Sequence, residues 1–262
     1  MNILDEILNY KKDELQSLKA DIPLSDLKAR VKDAAETRNF KEAIQRDEGQ
    51  QVRLIAELKK ASPSKGVIRK DFSLSQIVSV YEKKDVAAIS VLTEKRYFGG
   101  SLASLNQARK RTSRPLLRKD FIFDEYQVYE SRANNADAVL LIAAALEKSQ
   151  LSDLYELAGE LSLDCLVEVH NWKELDAVLY LGAEIVGINN RDLTTLHTSL
   201  DISFSLLKDI PDDRVVVSES GIRTRADVEA IGASRTDAIL VGTTLMEADD
   251  IGTRIDELMG RV

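Results

Sequence analysis

Apolar residues recur along this chain in two rhythms, and from residue 52 onward the two alternate. Before that point only the helical rhythm is present. Ile3, Leu4, Ile7, Leu8, Leu15 and Leu18 return at roughly helical spacing with Lys and Glu between them, which predicts a helix over 2–19. The pattern breaks at Asp21, Pro23 follows, and a second short helix is expected from Ser25 to about Ala35. Phe40 and Ile44 anchor a third turn. No strand pattern precedes Val52, so residues 1–47 read as a helical extension.

After it, short β-branched runs alternate with amphipathic stretches. Strands are expected at 52–58, 88–92, 116–119, 138–142, 165–169, 185–188, 215–218 and 238–241. Helices are expected from Ser73, with Gln76 placed for a capping box, from near Ser101, and from Asp124, with Gln127 placed likewise. Others follow at 149–161, after Asn171 with Glu174, over about 200–208, from Thr224 and from about Asp250. Gly182 and Gly232 stop two of them. Strands apolar on both sides belong in a sheet covered on both faces. Strict alternation of strand and helix makes that sheet parallel. Eight such units make either a closed (β/α)8 barrel or a doubly wound sheet. No Gly-x-Gly-x-x-Gly follows any strand, which argues against a dinucleotide-binding sheet. The expectation is therefore an α/β protein, a (β/α)8 TIM barrel over 48–262 with the extension over 1–47, in one structural domain.

With 44% hydrophobic and 31% charged residues the chain has the makeup of a soluble globular protein. The net charge of −8 argues against a nucleic-acid partner but leaves room for a local basic pocket. Cys165 is the single cysteine, so no intrachain disulfide forms, and its apolar strand makes it inert core. Two histidines are too few for a His-rich metal site. Asp5 and Glu6 interrupt the N-terminal stretch, which is no secretion signal, and the run from Ala138 to Leu146 is too short to span a membrane. The chain reads as cytoplasmic.

The chemistry collects at strand ends, where (β/α)8 enzymes carry their active sites. The first strand ends in Glu57 and Lys59, the third in Lys119, Asp120 and Phe121, and the fifth carries Glu168. The sixth ends in Asn189, Asn190 and Arg191, the seventh in Glu219, Ser220 and Gly221, the eighth in Gly242 and Thr243. One buried Glu–Lys pair is compatible with a structural ion pair. Two lysines, three glutamates and an asparagine converging on one mouth call for a ligand. Gly221 and Gly242 follow strands seven and eight, where such barrels hold a phosphate, and Thr243, Thr244 and Leu245 fit the short helix that goes with it. A lysine among glutamates stays protonated and serves as a general acid or an anion holder. Ser220 has no histidine placed as its base, and His170 reads as a satisfied strand-end residue. Phe98 and Phe121 either stack on an aromatic ligand or pack in the core.

The stretch Glu57-Leu58-Lys59-Lys60-Ala61-Ser62-Pro63-Ser64-Lys65-Gly66 resembles the first-strand signature of the indole-3-glycerol phosphate synthase family. Ile89 to Glu94 with Tyr97-Phe98, Leu117 to Phe121, Val167 to His170, Gly187 to Leu193 and Ser218 to Ile222 resemble its later strands, so the likeness runs through essentially the whole chain. The resemblance implies a cofactor-free ring closure on an anionic aryl phosphosugar, with loss of carbon dioxide and water, in tryptophan biosynthesis. It implies Lys119 as the acid on the sugar carbonyl and Lys59 as an anion holder and second acid. It shares the base and lysine-orienting roles between Glu168 and Glu57, in either order. Asn189, Glu219 and Ser220 would position substrate, and Arg191 would meet its carboxylate. Ser62 would also touch substrate, and Phe98, Phe121, Leu140 and Leu193 would line the aryl pocket. Gly221, Gly242 and Thr243 would hold the phosphate, with Thr243 where the family often has serine. The extension would fold over the mouth. No metal, nucleic acid, membrane, obligate protein partner or fused second enzyme is implied. The isomerase one step earlier would want a cysteine and an aspartate at the mouth, whereas Cys165 begins its strand. A non-catalytic phosphosugar-binding barrel would lack Lys119 and Glu168.

Overall fold

The computed structural model describes residues 3–192, 195 and 197–261. Eight parallel strands close on themselves. They are β1 (Arg53–Leu58), β2 (Ala88–Leu92), β3 (Leu116–Lys119), β4 (Ala138–Ile142), β5 (Asp164–Val169), β6 (Ile185–Asn189), β7 (Val215–Glu219) and β8 (Ala238–Val241). Each pairs with its neighbours in sequence, and β8 closes onto β1 with Arg53 opposite Ala238. The barrel is therefore closed, and the doubly wound alternative falls.

Three helices precede it: α1 (Ile3–Asp21), α2 (Leu24–Lys32) and α3 (Phe40–Ile44). Around the barrel run α4 (Leu74–Lys83), α5 (Ala103–Arg109), α6 (Glu125–Ala133), α7 (Lys148–Glu160), α8 (Trp172–Leu181), α9 (Asp201–Leu206), α10 (Arg225–Gly232), α11 (Thr243–Met246) and α12 (Ile251–Met259). Alternation along each strand sends Ile55, Leu117, Leu140, Leu166, Ile185, Val217 and Leu240 into the barrel interior. The opposite faces pack against the helices. Phe40 and Ile44 of α3 plug the bottom and join the interior cluster. Asp137 fixes that end, accepting the Arg38 and Leu116 amides at 2.8 Å each.

The capping boxes divide. Thr224 and Asp227 form one on α10, and Asn171 accepts the Glu174 amide at the head of α8, which Gly182 ends in a left-handed turn. Ser73 makes no capping bond, because its hydroxyl faces Ser75 instead. Asp124 caps α6 through the Tyr126 amide, and Gln127 turns back to accept from Phe123 and donate to the Phe121 carbonyl. The glutamine thus braces the loop after β3 rather than closing a box. Two short pieces were not expected from the pattern: Ala61–Ser62 and Gly66–Val67 pair antiparallel and fold the loop after β1 back on itself. The second helix stops at Lys32, earlier than expected, capped by Asp33.

Candidate active site

Side chains that face inward at the last turn of the odd-numbered strands are Glu57, Lys119, Glu168 and Glu219. In a (β/α)8 barrel, alternate strands supply the four side chains of one interior layer. This layer is ionic, whereas the layers beneath it are aliphatic. Glu57, Glu168 and Glu219 are each at most 3% exposed. Lys119 crosses the axis, its Nζ lying 3.2 Å from Glu219 Oε2 and 3.4 Å from Glu168 Oε2. Two glycines make room. A methyl group on Gly187 of β6 would strike Glu219 Oε1, and one on Gly242 would strike the Glu57 carboxylate.

Burial opposes the Lys119 ammonium, but Glu219, Glu168 and Glu57 outweigh it and hold it protonated well beyond the ordinary lysine range. The two carboxylates that share it diverge. Burial raises both. Around Glu168, the Lys119 charge and the His170 imidazole prevail and hold the carboxyl well below the ordinary range. Glu219 has Lys119 alone and faces the negative charge of Glu168, so its pKa is pushed up to about 7. Its Oε1 is buried without a hydrogen-bond partner, as suits a neutral acid more than a carboxylate.

Lys59, just past β1, lies 3.3 Å from Glu57 Oε1 and 5.8 Å over the centre of the Phe98 ring. Phe98 and Phe121 pack tilted, 6.1 Å between centroids. One cavity takes in Glu57, Lys59, Ser62, Phe98, Lys119, Phe121, Leu140, Glu168, Asn189, Arg191 and Ser220, and is closed above by Ile3, Leu4 and Ile7 of α1. Arg191 reaches Ser64 at 3.2 Å and donates its amide to Asn189. A second cavity adjoins it, lined by Lys59, Lys65, Arg191, Ser220, Gly221, Arg223, Gly242 and Thr243. Ser220 holds a left-handed φ of 66°, and the buried Asn190 amide donates to its carbonyl at 3.2 Å. Such strain persists only where the surroundings impose it.

Of the expected site residues, Leu193 lies outside the described residues. Every other one lines these two cavities. The pattern along the chain did not reveal Ile3, Leu4, Ile7, Lys65 or Arg223 at the mouth. Nor did it show Lys11 of α1, buried 3.1 Å from Asp120. A salt link to Arg118 and a hydrogen bond from Thr93 complete that group beside Lys119. Cys165 begins its strand in the core, where burial pushes its thiol up. Among the described residues no group of His, Cys, Asp and Glu is placed to hold a metal ion. The arrangement can deliver a proton from Lys119 to a ligand lying against Phe98, Phe121 and Leu140 while cations meet anionic groups at either end.

The family model described as indole-3-glycerol phosphate synthase matches residues 4–258. A protein of that description from Alkaliphilus metalliredigens is 49% identical over 256 residues, covering 98% of this chain and 97% of its own. One from Thermoanaerobacter pseudethanolicus is 46% identical over 250 residues, 95% of this chain and 94% of its own. Among solved structures, 3-hexulose-6-phosphate synthase from Salmonella typhimurium superposes with a TM-score of 0.64 at 14% identity, over 80% of this chain and 97% of its own. A chain of the Pyrococcus furiosus tryptophan synthase complex gives 0.60 at 15% identity, over 79% and 98%. These last two likenesses are of fold.

Proposed function

Since the chain belongs to the indole-3-glycerol phosphate synthase family, we propose that its ionic layer and two cavities divide that family's reaction between them. The enzyme is a carboxy-lyase of tryptophan biosynthesis. It closes the ring of 1-(2-carboxyphenylamino)-1-deoxy-D-ribulose 5-phosphate, with loss of carbon dioxide and water, to indole-3-glycerol phosphate.

The aryl ring lies against Phe98, Phe121 and Leu140, and Ser62 bounds the pocket. Its carboxylate meets Lys59 and Arg191. The phosphate sits in the adjoining cavity by Gly221, Gly242 and Thr243. The ring carbon bearing the carboxylate attacks the sugar carbonyl, and Lys119 gives its proton to the oxygen. Loss of carbon dioxide restores the ring. In the dehydration Lys59 protonates the departing hydroxyl, and a base takes the proton from the methylene carbon beside nitrogen. We assign that base to Glu168. It is ionised beside the Lys119 ammonium, and it becomes more basic once Lys119 has given up its charge. Glu57 orients Lys59, and Asn189 and Ser220 position substrate. Glu219, poised near neutrality, returns a proton to Lys119. Two protons enter and one leaves, which balances a carboxylate lost as carbon dioxide.

The observation that carries this reading is the single ammonium shared by two buried carboxylates across the barrel axis. Residues 1–47 and 48–262 act as one structural domain, since α1 closes the cavity. No helix among the described residues is long and apolar enough to cross a membrane, and a cytoplasmic enzyme needing no obligate protein partner is part of the same reading. Incubation with the aryl phosphosugar, followed by indole absorbance and carbon dioxide release, tests it. Release without indole formation would limit the site to decarboxylation, and neither product would refute the assignment.

A further inference from the structure

His170 follows β5 by one residue, and its side chain is 8% exposed. The head of α8 fixes its orientation. Asn171 accepts the Glu174 amide and donates to its Oε1, while Glu174 Oε2 accepts the His170 amide at 2.8 Å and meets Nδ1 at 3.0 Å. With one edge of the ring held in this way, Nε2 faces the barrel and lies 3.3 Å from Glu168 Oε1, without an aligned hydrogen bond. Glu168 is thus gripped from both sides, by Lys119 on one oxygen and His170 on the other.

We propose that His170 is a positioning residue for the reaction: as an imidazolium clamped between Glu174 and Glu168, it keeps the Glu168 carboxylate ionised and aimed at Lys119. The inference rests on the reading of Glu168 as the base. Burial disfavours the charged ring, but the Glu168 and Glu174 carboxylates on either side outweigh it and push the pKa up to about 10, so the cation persists at working pH. The groups facing Glu168 are Lys119 from β3, Glu219 from β7, Glu57 from β1, Asn189 from β6 and His170 itself. Those facing His170 are Glu168 and Glu174, and the turn over Ala143–Ala145 that packs on α8 adds no charge. When Lys119 surrenders its proton, His170 is the cation left on Glu168. It has no contact with substrate in this role.

His170→Asn removes the cation and keeps a polar side chain. An opposite charge at this range holds a carboxyl down by about 1 unit or more. Its loss should move the acid limb of kcat, which reports Glu168 in the complex where Lys119 has given up its charge, upward by about 1 pH unit, read at saturating substrate from pH 4 to 9. The deficit against wild type should then grow as pH falls, toward about tenfold below that limb, and be smallest at pH 8. Glu219 and the substrate phosphate titrate in both enzymes and cancel in the ratio. Glu174→Gln leaves the imidazole but weakens its charge, and should shift the limb the same way by less. It serves as the test if His170→Asn fails to fold. A uniform loss at every pH, or an unmoved limb in both variants, would overturn the proposal. Glu168→Gln separates the two readings: activity near wild type there would remove Glu168 as the base, whatever His170 does.

Discussion

Lys119 on β3 and Glu219 on β7 stand on opposite sides of the barrel, yet their side chains meet 3.2 Å apart on its axis. Both are buried, and Glu168 competes for the same ammonium. That competition drives the two carboxyls apart: the Glu219 pKa is pushed up to about 7, while Glu168 is held below the ordinary range and stays ionised. An acid layer that holds one mobile proton suits a reaction that needs a proton delivered and then replaced.

The first consequence concerns stability. A carboxyl whose folded pKa is raised from 4.5 to about 7 binds its proton more tightly in the folded state. Its contribution is fully present below the unfolded value and is lost as pH rises through about 7, leaving a penalty above it. Glu219→Gln should therefore unfold at higher urea than wild type at pH 8.5, by about 3 kcal/mol, and show little difference at pH 4.5. Urea titrations at both pH values measure this. The same variant should lose kcat, because the glutamine has no proton to return.

Much of the site was legible in the sequence for a geometric reason. Side chains alternate along a strand, and an α/β alternation marks which strand end faces the mouth, so Glu57, Lys119, Glu168 and Glu219 could be placed together from spacing alone. What the spacing does not carry is the partner of a surface. The apolar stripe of α1 predicts a helix but not that Ile3, Leu4 and Ile7 cover the cavity. Lys11 on that helix looks like any solvated lysine until Asp120 is brought beneath it. From sequence His170 reads as a satisfied strand end, because its significance lies in Glu174, which the α8 cap turns back by one helical turn. The Asp124 box failed for a related reason: Gln127 had a nearer partner in the loop after β3.

Lys11 ties the extension to the catalytic strand. It is 5% exposed, and its Nζ lies 3.1 Å from Asp120 Oδ1, the residue after Lys119. Removing one partner of a buried pair leaves an uncompensated charge and costs about 3–5 kcal/mol. Arg118 still meets Asp120, so Lys11→Met is expected at the lower end of that range. Thermal and urea unfolding would register it. Lys11→Met should also raise KM for the aryl substrate, since α1 closes that pocket, whereas a Lys→Met change at exposed Lys12 should alter neither.

Gly242 is required by the carboxylate beside it. A Cβ there would overlap Glu57, which holds Lys59, whereas one on Gly232 would only touch Val52 at 3.9 Å. Gly242→Ala should cut kcat/KM at least tenfold, roughly the loss of one charge-assisted contact. Gly232→Ala, within α10, should leave activity unchanged and stabilise by about 0.5–1 kcal/mol. Equal effects of the two would show that the overlap with Glu57 does not matter.

Lys59 and Lys119 should separate in kinetics. Lys59 sits between Glu57 and the Phe98 ring at the edge of the cavity, where an anionic group of the substrate would reach it. Lys59→Met should raise KM as well as lower kcat, because an anion holder acts in both the bound and transition states. Added inorganic phosphate should compete with substrate in the wild type through the cavity at Gly221 and Gly242, and Lys59→Met should weaken that competition without abolishing it, because Lys65, Arg191 and Arg223 line the same cavity.

The most direct test is the steady-state kinetics of Lys119→Met, with folding checked by circular dichroism. The methionine keeps most of the stem and removes the ammonium that Glu168 and Glu219 share. A positioned general acid contributes about 10²–10⁴-fold, so kcat should fall by that order while KM changes only a few-fold, the Phe98 and Phe121 rings and the loops at Gly221 and Gly242 being unchanged. A folded Lys119→Met enzyme with kcat within a few-fold of wild type would contradict the account and pass the acid's role to Lys59.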